Sequence, residues 1–191
     1  MRMAHPTQVE PERWANGGGW TRTLLAWPDP ARWALRISVA DVEQAGPFSL
    51  FPGVDRWFAV LEGDGVRLAT AGQASVVVRA GDEQLHAFPG DAATNCELLG
   101  GATRDLNVMV RRREARTTIR RLRDGDPRSD AEFLACFVCD AATLTTDDGA
   151  VIPLARHTLA WLENPARETL ALNLAAPAPR GWWIEVNRAD R

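Results

Sequence analysis

The chain is punctuated rather than helically periodic. Short runs of alternating apolar and polar residues recur between Gly, Pro and Asp, and no convincing stretch keeps the three-to-four spacing of an amphipathic helix. The clearest run is Trp33-Ala-Leu-Arg-Ile-Ser-Val-Ala40. A strand repeats every two residues, so Trp33, Leu35, Ile37 and Val39 share one face while Arg36 and Ser38 share the other. Trp57 to Leu61, the turn Gly63-Asp-Gly65 and Val66 to Ala69 read as a hairpin, followed by runs at Ala74 to Val78 and Gln84 to Phe88. From Asp105 to Arg111, Leu106, Val108 and Val110 oppose Asp105, Asn107, Met109 and Arg111.

Further strand-like runs follow at Glu132 to Cys139, Thr143 to Thr146, His157 to Leu162, Thr169 to Leu174 and Trp182 to Val186. Short strands at this spacing predict an all-β sandwich or barrel. A chain of 191 residues has room for two small lobes. Between Arg112 and Arg128 the alternation fades into charge and a Gly125-Asp-Pro127 turn, which predicts a connector. The expected organisation is one unit over 1–191. Lobe one covers about 14–111, the connector about 112–128 and lobe two about 129–191, with N-terminal strands as candidates to join lobe two.

What is missing narrows the chemistry. All 22 residues counted as Lys or Arg are arginine, so a Walker loop, a Schiff base and a pyridoxal enzyme are excluded. Tyrosine is absent and tryptophan occurs eight times, which removes phenolic acid–base catalysis and leaves aromatic bulk for packing. No serine sits in a G-x-S-x-G elbow. His5, His86 and His157 are scattered singly, so no metal-ligand set is expected. Cys136-Phe-Val-Cys139 has C-x-x-C spacing inside an apolar run, which predicts a buried structural pair rather than a zinc or redox site.

A net charge of -3 argues against a nucleic-acid partner, and the arginines from Arg111 to Arg123 read as a solvated face or linker. The chain has neither a signal-like start nor a spanning apolar stretch, and it has an odd number of cysteines. These features predict a cytoplasmic protein with no membrane partner.

Two glycine-anchored motifs remain. Trp14-Ala-Asn16-Gly-Gly-Gly19-Trp-Thr21 would let backbone approach a ligand closely, or form an ordinary turn. Gly46-Pro-Phe-Ser49-Leu-Phe51-Pro-Gly53-Val-Asp55-Arg56 leads into the hairpin. Together with Arg36-Ile-Ser38-Val-Ala40 and the series Asp105, Asn107, Met109 and Arg111, their order resembles the HutD/Ves family over about residues 14 to 112.

That resemblance implies a bicupin, two antiparallel β-barrel or sandwich lobes packed together, and an association with bacterial histidine utilisation as a sensor or buffer of an intermediate. It also implies that Arg56 stands where a cupin's metal-binding glutamate would lie. A guanidinium repels a metal cation and attracts a carboxylate. The expected site therefore holds a small anionic metabolite, urocanate or formylglutamate, with no metal and no cofactor. Arg36 and Arg56 would grip the anion; Asn16, Thr21, Ser38, Ser49 and Asn107 would supply neutral polar contacts; Asp55 or Asp105 would orient an arginine or accept a ligand N–H. Phe51, with Phe48, Trp33 and Trp57, would form an apolar wall.

Three other readings stay open at this stage, one of them an interaction scaffold that binds another pathway protein and no small molecule. Arg36 could instead pair with Asp55 or Asp105 as internal architecture. A metal-independent isomerase or hydrolase with an aspartate base is the alternative to a non-catalytic binder. A homodimer is compatible with either.

Overall fold

Most of the alternating runs become strands. A computed structural model describes residues 1–124, 128–146, 148–164, 166, 170–175 and 179–189. In chain order the strands are β1 (Arg2–Ala4), β2 (Glu12–Arg13), β3 (Gly19–Trp27), β4 (Leu35–Val42), β5 (Gly46–Pro47), β6 (Val54–Glu62), β7 (Val66–Thr70), β8 (Val76–Val78), β9 (His86–Pro89), β10 (Thr94–Leu98) and β11 (Thr103–Arg111). They continue with β12 (Ala115–Arg121), β13 (Arg128–Ser129), β14 (Phe133–Val138), β15 (Ala142–Thr146), β16 (Val151–Leu154), β17 (Leu159–Glu163), β18 (Leu170–Leu174) and β19 (Gly181–Arg188). No helix among the described residues is long and apolar enough to cross a membrane.

The chain divides into two units, Val9–Glu114 and Met1–Gln8 with Ala115–Arg191. The first is built from the antiparallel sheets β2-β3-β4-β11-β6-β9 and β5-β10-β7-β8. Its core cluster, Val42, Phe58, Val60, Val66, Leu68, Val78, Phe88 and Cys96, draws residues from both sheets. Alternation decides what each strand offers: Val42 shares a face of β4 with Arg36, Ser38 and Ala40, so the polar face expected there points into this lobe. Leu35, Ile37 and Val39 on the other face are fully buried as well.

The second unit contains the sheets β1-β17-β14-β19-β12 and β13-β18-β15-β16. Leu134, Cys136, Val138, Leu144, Leu154 and Trp183 fill the space between them. Cys136 and Cys139 are buried free thiols whose pKa burial pushes up to about 12, which leaves them inert.

Several strands escape a period-two reading for identifiable reasons. In β3 the register against β4 shifts between Thr23 and Leu25, and this bulge breaks the alternation. Strand β12 corrects the expected connector: Ala115–Arg121 pairs with β19 along its length, and its charged residues suit the edge of a sheet. The edge strand β16 carries Pro153, a residue that interior strands exclude. The Gly125-Asp-Pro127 turn lies outside the described residues, as does Thr169 at the start of an expected strand.

The glycine motif near the N-terminus serves packing. Gly17 has φ +73°, and a Cβ on Gly19 would lie 2.3 Å from the Asp41 carbonyl oxygen, so β3 reaches β4 only with glycine there. Replacing Gly19 with Ala forces the two backbones apart. Gly19→Ala should cost about 1–3 kcal/mol, read as a fall of several degrees in the unfolding midpoint by calorimetry. An unchanged midpoint would mean that the strands separate without strain.

Asp105 is fully buried on β11. Its Oδ2 accepts a 2.9 Å bond from the Thr103 hydroxyl, while Oδ1 has no partner. Burial pushes its pKa up to about 8; the Thr103 bond opposes the shift and the Asp41 charge adds to it. An unfolded aspartate titrates near ~3.9. Between about pH 4 and pH 8 the unfolded chain therefore gives up a proton that the folded chain keeps, and stability falls as pH rises. Asp105→Asn should remove that loss, raising the midpoint far more at pH 8 than at pH 5 in parallel thermal melts. An equal effect at both pH values would show Asp105 to be ionised in the folded protein.

Candidate functional site

Strand register places two arginines on one wall. Met109 on β11 lies opposite Arg36 of β4 on one side and Arg56 of β6 on the other, so the three residues form a row across neighbouring strands. Strands lie ~4.8 Å apart, which sets the two arginine Cα atoms at roughly 10 Å. The adjacent row is Ser38, Asn107 and Phe58. Arg36, Met109 and Arg56 of the first row and Ser38 and Asn107 of the second line a cavity of about 320 Å³, contained within the Val9–Glu114 unit.

Arg56 is 6% exposed. Its Nη2 donates to Asn107 Oδ1 at 2.9 Å and its Nη1 makes a long 3.5 Å contact with the Ser49 carbonyl oxygen, while Nε has no partner. Its guanidinium carbon lies 4.8 Å from the centre of the Phe88 ring, 5.2 Å from Phe48 and 5.6 Å from Phe51. Burial, with the nearby Arg36 charge acting in the same sense, lowers its pKa to about 10. Arg56 is still cationic at neutral pH. Arg36 donates from Nε and Nη2 to Thr23 Oγ1 at 3.3 and 3.0 Å.

Neither arginine has a carboxylate partner among the described residues. Other arginines of this lobe are paired: Arg22 and Arg104 share Asp41, and Arg112 bridges Asp55 and Asp91. Two cations facing one aromatic cavity give its wall a charge complementary to an anion.

Of the residues expected from sequence, Asn16, Thr21, Arg36, Ser38, Ser49, Phe51, Arg56 and Asn107 all line this cavity. Asp55 does not. It neighbours Arg56 in a strand, so it must face the other way, and it binds Arg112 at 2.7 Å. Asp105 shares the face of Asn107 but lies beyond the lining, bonded to Thr103. The internal pairing of Arg36 with Asp55 or Asp105 is therefore not formed. Trp57 is turned from the cavity for the same reason as Asp55, and Trp33 packs beneath the Arg111 guanidinium at 4.5 Å, so neither belongs to the wall.

The glycines Gly17 to Gly19 do not line the cavity; the residues around them do. Trp14 Nε1 donates to Thr21 Oγ1 at 2.8 Å, Trp14 meets Phe48 edge-on at 6.4 Å, and Asn16 Oδ1 accepts from the Gly18 amide at 3.0 Å. Sequence reasoning missed Glu12, Arg13 and Met109 as lining residues, and Thr23 as the support of Arg36. Met109 was legible, because it shares Asn107's face. Glu12 and Arg13 sit on a two-residue strand too short to show any period.

A metal does not suit this wall. Arg56 is a donor-only cation, and among the described residues no group of three or more His, Cys, Asp or Glu side chains could hold an ion.

The sequence model of the HutD family matches residues 6–178. An uncharacterised 21.2 kDa protein in the hutC 3′ region of Pseudomonas putida is 42% identical over 100 residues, half the length of each chain. The protein Ves of Citrobacter koseri is 32% identical over 158 residues, covering 78% of this chain and 82% of Ves. HutD from Pseudomonas fluorescens, at 23% identity, superposes with a TM-score of 0.85 over 99% of both chains. The same all-β cupin fold extends to an oxalate decarboxylase variant from Bacillus subtilis, which is 8% identical with a TM-score of 0.62 over all of this chain and 78% of that one. The family model covers most of the sequence and the Ves alignment more than three-quarters of it, and this chain belongs to the HutD/Ves family.

Proposed function

We propose that this protein binds a small carboxylated intermediate of histidine degradation, urocanate or formylglutamate, without transforming it, and so modulates histidine utilisation. The observation that carries this reading is the pair Arg36 and Arg56, two guanidiniums on one wall of an aromatic cavity that have no carboxylate partner among the described residues. The family's name and the hutC-region relative supply the metabolic context. A charge-assisted bond contributes about 1.5–3 kcal/mol and a neutral one about 1. A bidentate arginine contact, bonds from Ser38 and the Asn107 amide, and contact with Phe48 and Phe51 would therefore support micromolar affinity.

The reading as a binder rather than an enzyme rests on the lining. It contains no His, Cys or Asp, and its one carboxylate, Glu12, is exposed. Asp105, the buried acid with a raised pKa, stays outside the cavity and has no path to a ligand proton there.

A thermal-shift panel of urocanate, imidazolone propionate, formylglutamate, glutamate, formate and divalent metals, each with and without EDTA, tests the proposal. A ligand at 100 times its dissociation constant adds about 2.7 kcal/mol, which for a chain this size raises the midpoint by roughly 5–10 °C. One of the two carboxylated intermediates should give that shift, unaffected by EDTA and unconsumed after overnight incubation. Arg56→Lys should lose most of it, because an ammonium cannot reproduce a bidentate fork. An undiminished shift in Arg56→Lys removes Arg56 from the site, and consumption of the ligand makes the protein an enzyme.

A further inference from the structure

The cavity is bipolar, and its acidic end has no place in an anion site built only from arginines. Glu12 lines the same cavity from β2, is exposed, and its carboxylate has no ion-pair or hydrogen-bond partner among the described residues. Strand register places it far from the arginine row. Glu12 pairs with Thr21, Thr21 pairs with Ala40, and Ala40 lies four residues along β4 from Arg36. Glu12 is thus two strands across and about 13 Å along the sheet from Arg36. The neighbouring cation does not neutralise it: Arg13 donates to Glu43 Oε2 at 3.2 Å and to the Gly17 carbonyl at 2.7 Å, and its guanidinium carbon sits 4.5 Å from the Trp20 ring centre. Between the two ends Trp14 and Phe48 line the cavity, their rings set edge to face.

We infer that Glu12 determines specificity: the site takes a monocarboxylate whose far end donates hydrogen bonds or carries positive charge, and it disfavours a second carboxylate. This rests on the proposal that Arg36 and Arg56 hold a carboxylate. With one carboxylate at the arginines, the ligand's other end is directed toward Glu12. An N–H donor or a cation there meets an acceptor-only group, whereas a second carboxylate meets like charge. The effect crosses a solvent-exposed mouth, so it is modest and weakens with salt.

Isothermal titration of the intact protein and of Glu12→Gln with urocanate and with formylglutamate, at low and high sodium chloride, tests the inference. Urocanate carries a ring N–H opposite its carboxylate; formylglutamate carries two carboxylates. The unaltered protein should prefer urocanate. Glu12→Gln should shrink the ratio of the two dissociation constants at least threefold at low salt, by weakening urocanate and tightening formylglutamate, and the shrinkage should fade in high salt. Preference of the unaltered protein for formylglutamate, or a ratio that Glu12→Gln leaves unchanged while both ligands still bind, overturns the role of Glu12 and leaves the arginine site standing. If neither compound binds either protein, the arginine site falls and the inference with it.

Discussion

A guanidinium buried without a counter-charge is the constraint around which the first lobe is arranged. Arg56 is nearly sequestered from water, and such a cation is tolerated only where other groups replace its hydration. Three phenylalanine rings and the Asn107 side-chain oxygen Oδ1 do so here, while Nε is left without a partner among the described residues. Two of those rings, Phe48 and Phe51, belong to the Pro-flanked segment between β5 and β6, and the third stands on β9. The segment, the edge strand and the central strand β11 thus converge on one charge. Arg36, one strand beyond β11 in the same row, adds repulsion that an entering anion would relieve.

The two lobes solve the interior of a small β-structure differently. In the Val9–Glu114 unit, apolar packing gives way to Asn107, Ser38 and the arginines, leaving space beside the core cluster. In the other unit, Trp183 is fully buried in an apolar cluster with Leu134, Leu144, Leu154 and Leu172. A tryptophan buries more area than any other side chain, so a single residue there closes room that a polar side chain would leave open. The cavity proposed as the ligand site belongs to the first lobe.

Charge placement separates architecture from recognition. Asp41, Asp55 and Asp91 all lie against arginines on partly exposed surfaces, where salt screening leaves such pairs modest in strength. Asp105 is in the interior and is held protonated near neutral pH by burial, so it adds no counter-charge to the cavity. The arginines of the site consequently keep their field directed at the cavity and not at a neighbouring carboxylate.

Alternation by itself marked many of the strands and which side chains share a face on them: Arg36 with Ser38, and Asp105 with Asn107 and Met109. The lack of lysine and the scattered histidines likewise limited the chemistry before any fold was known. Periodicity is a property of one strand, however, and the site is a property of several. Pairing across β4, β11 and β6 set Arg36, Met109 and Arg56 in one row, while a bulge at Arg104/Asp105 and the Thr103 bond kept Asp105 away from the lining. Long-range pairing also returned β1 to β17 and made β12 an edge strand where charge had suggested a linker. Register between distant segments arises only when the sheets close, and for that reason the tertiary structure alone decided which polar residues meet.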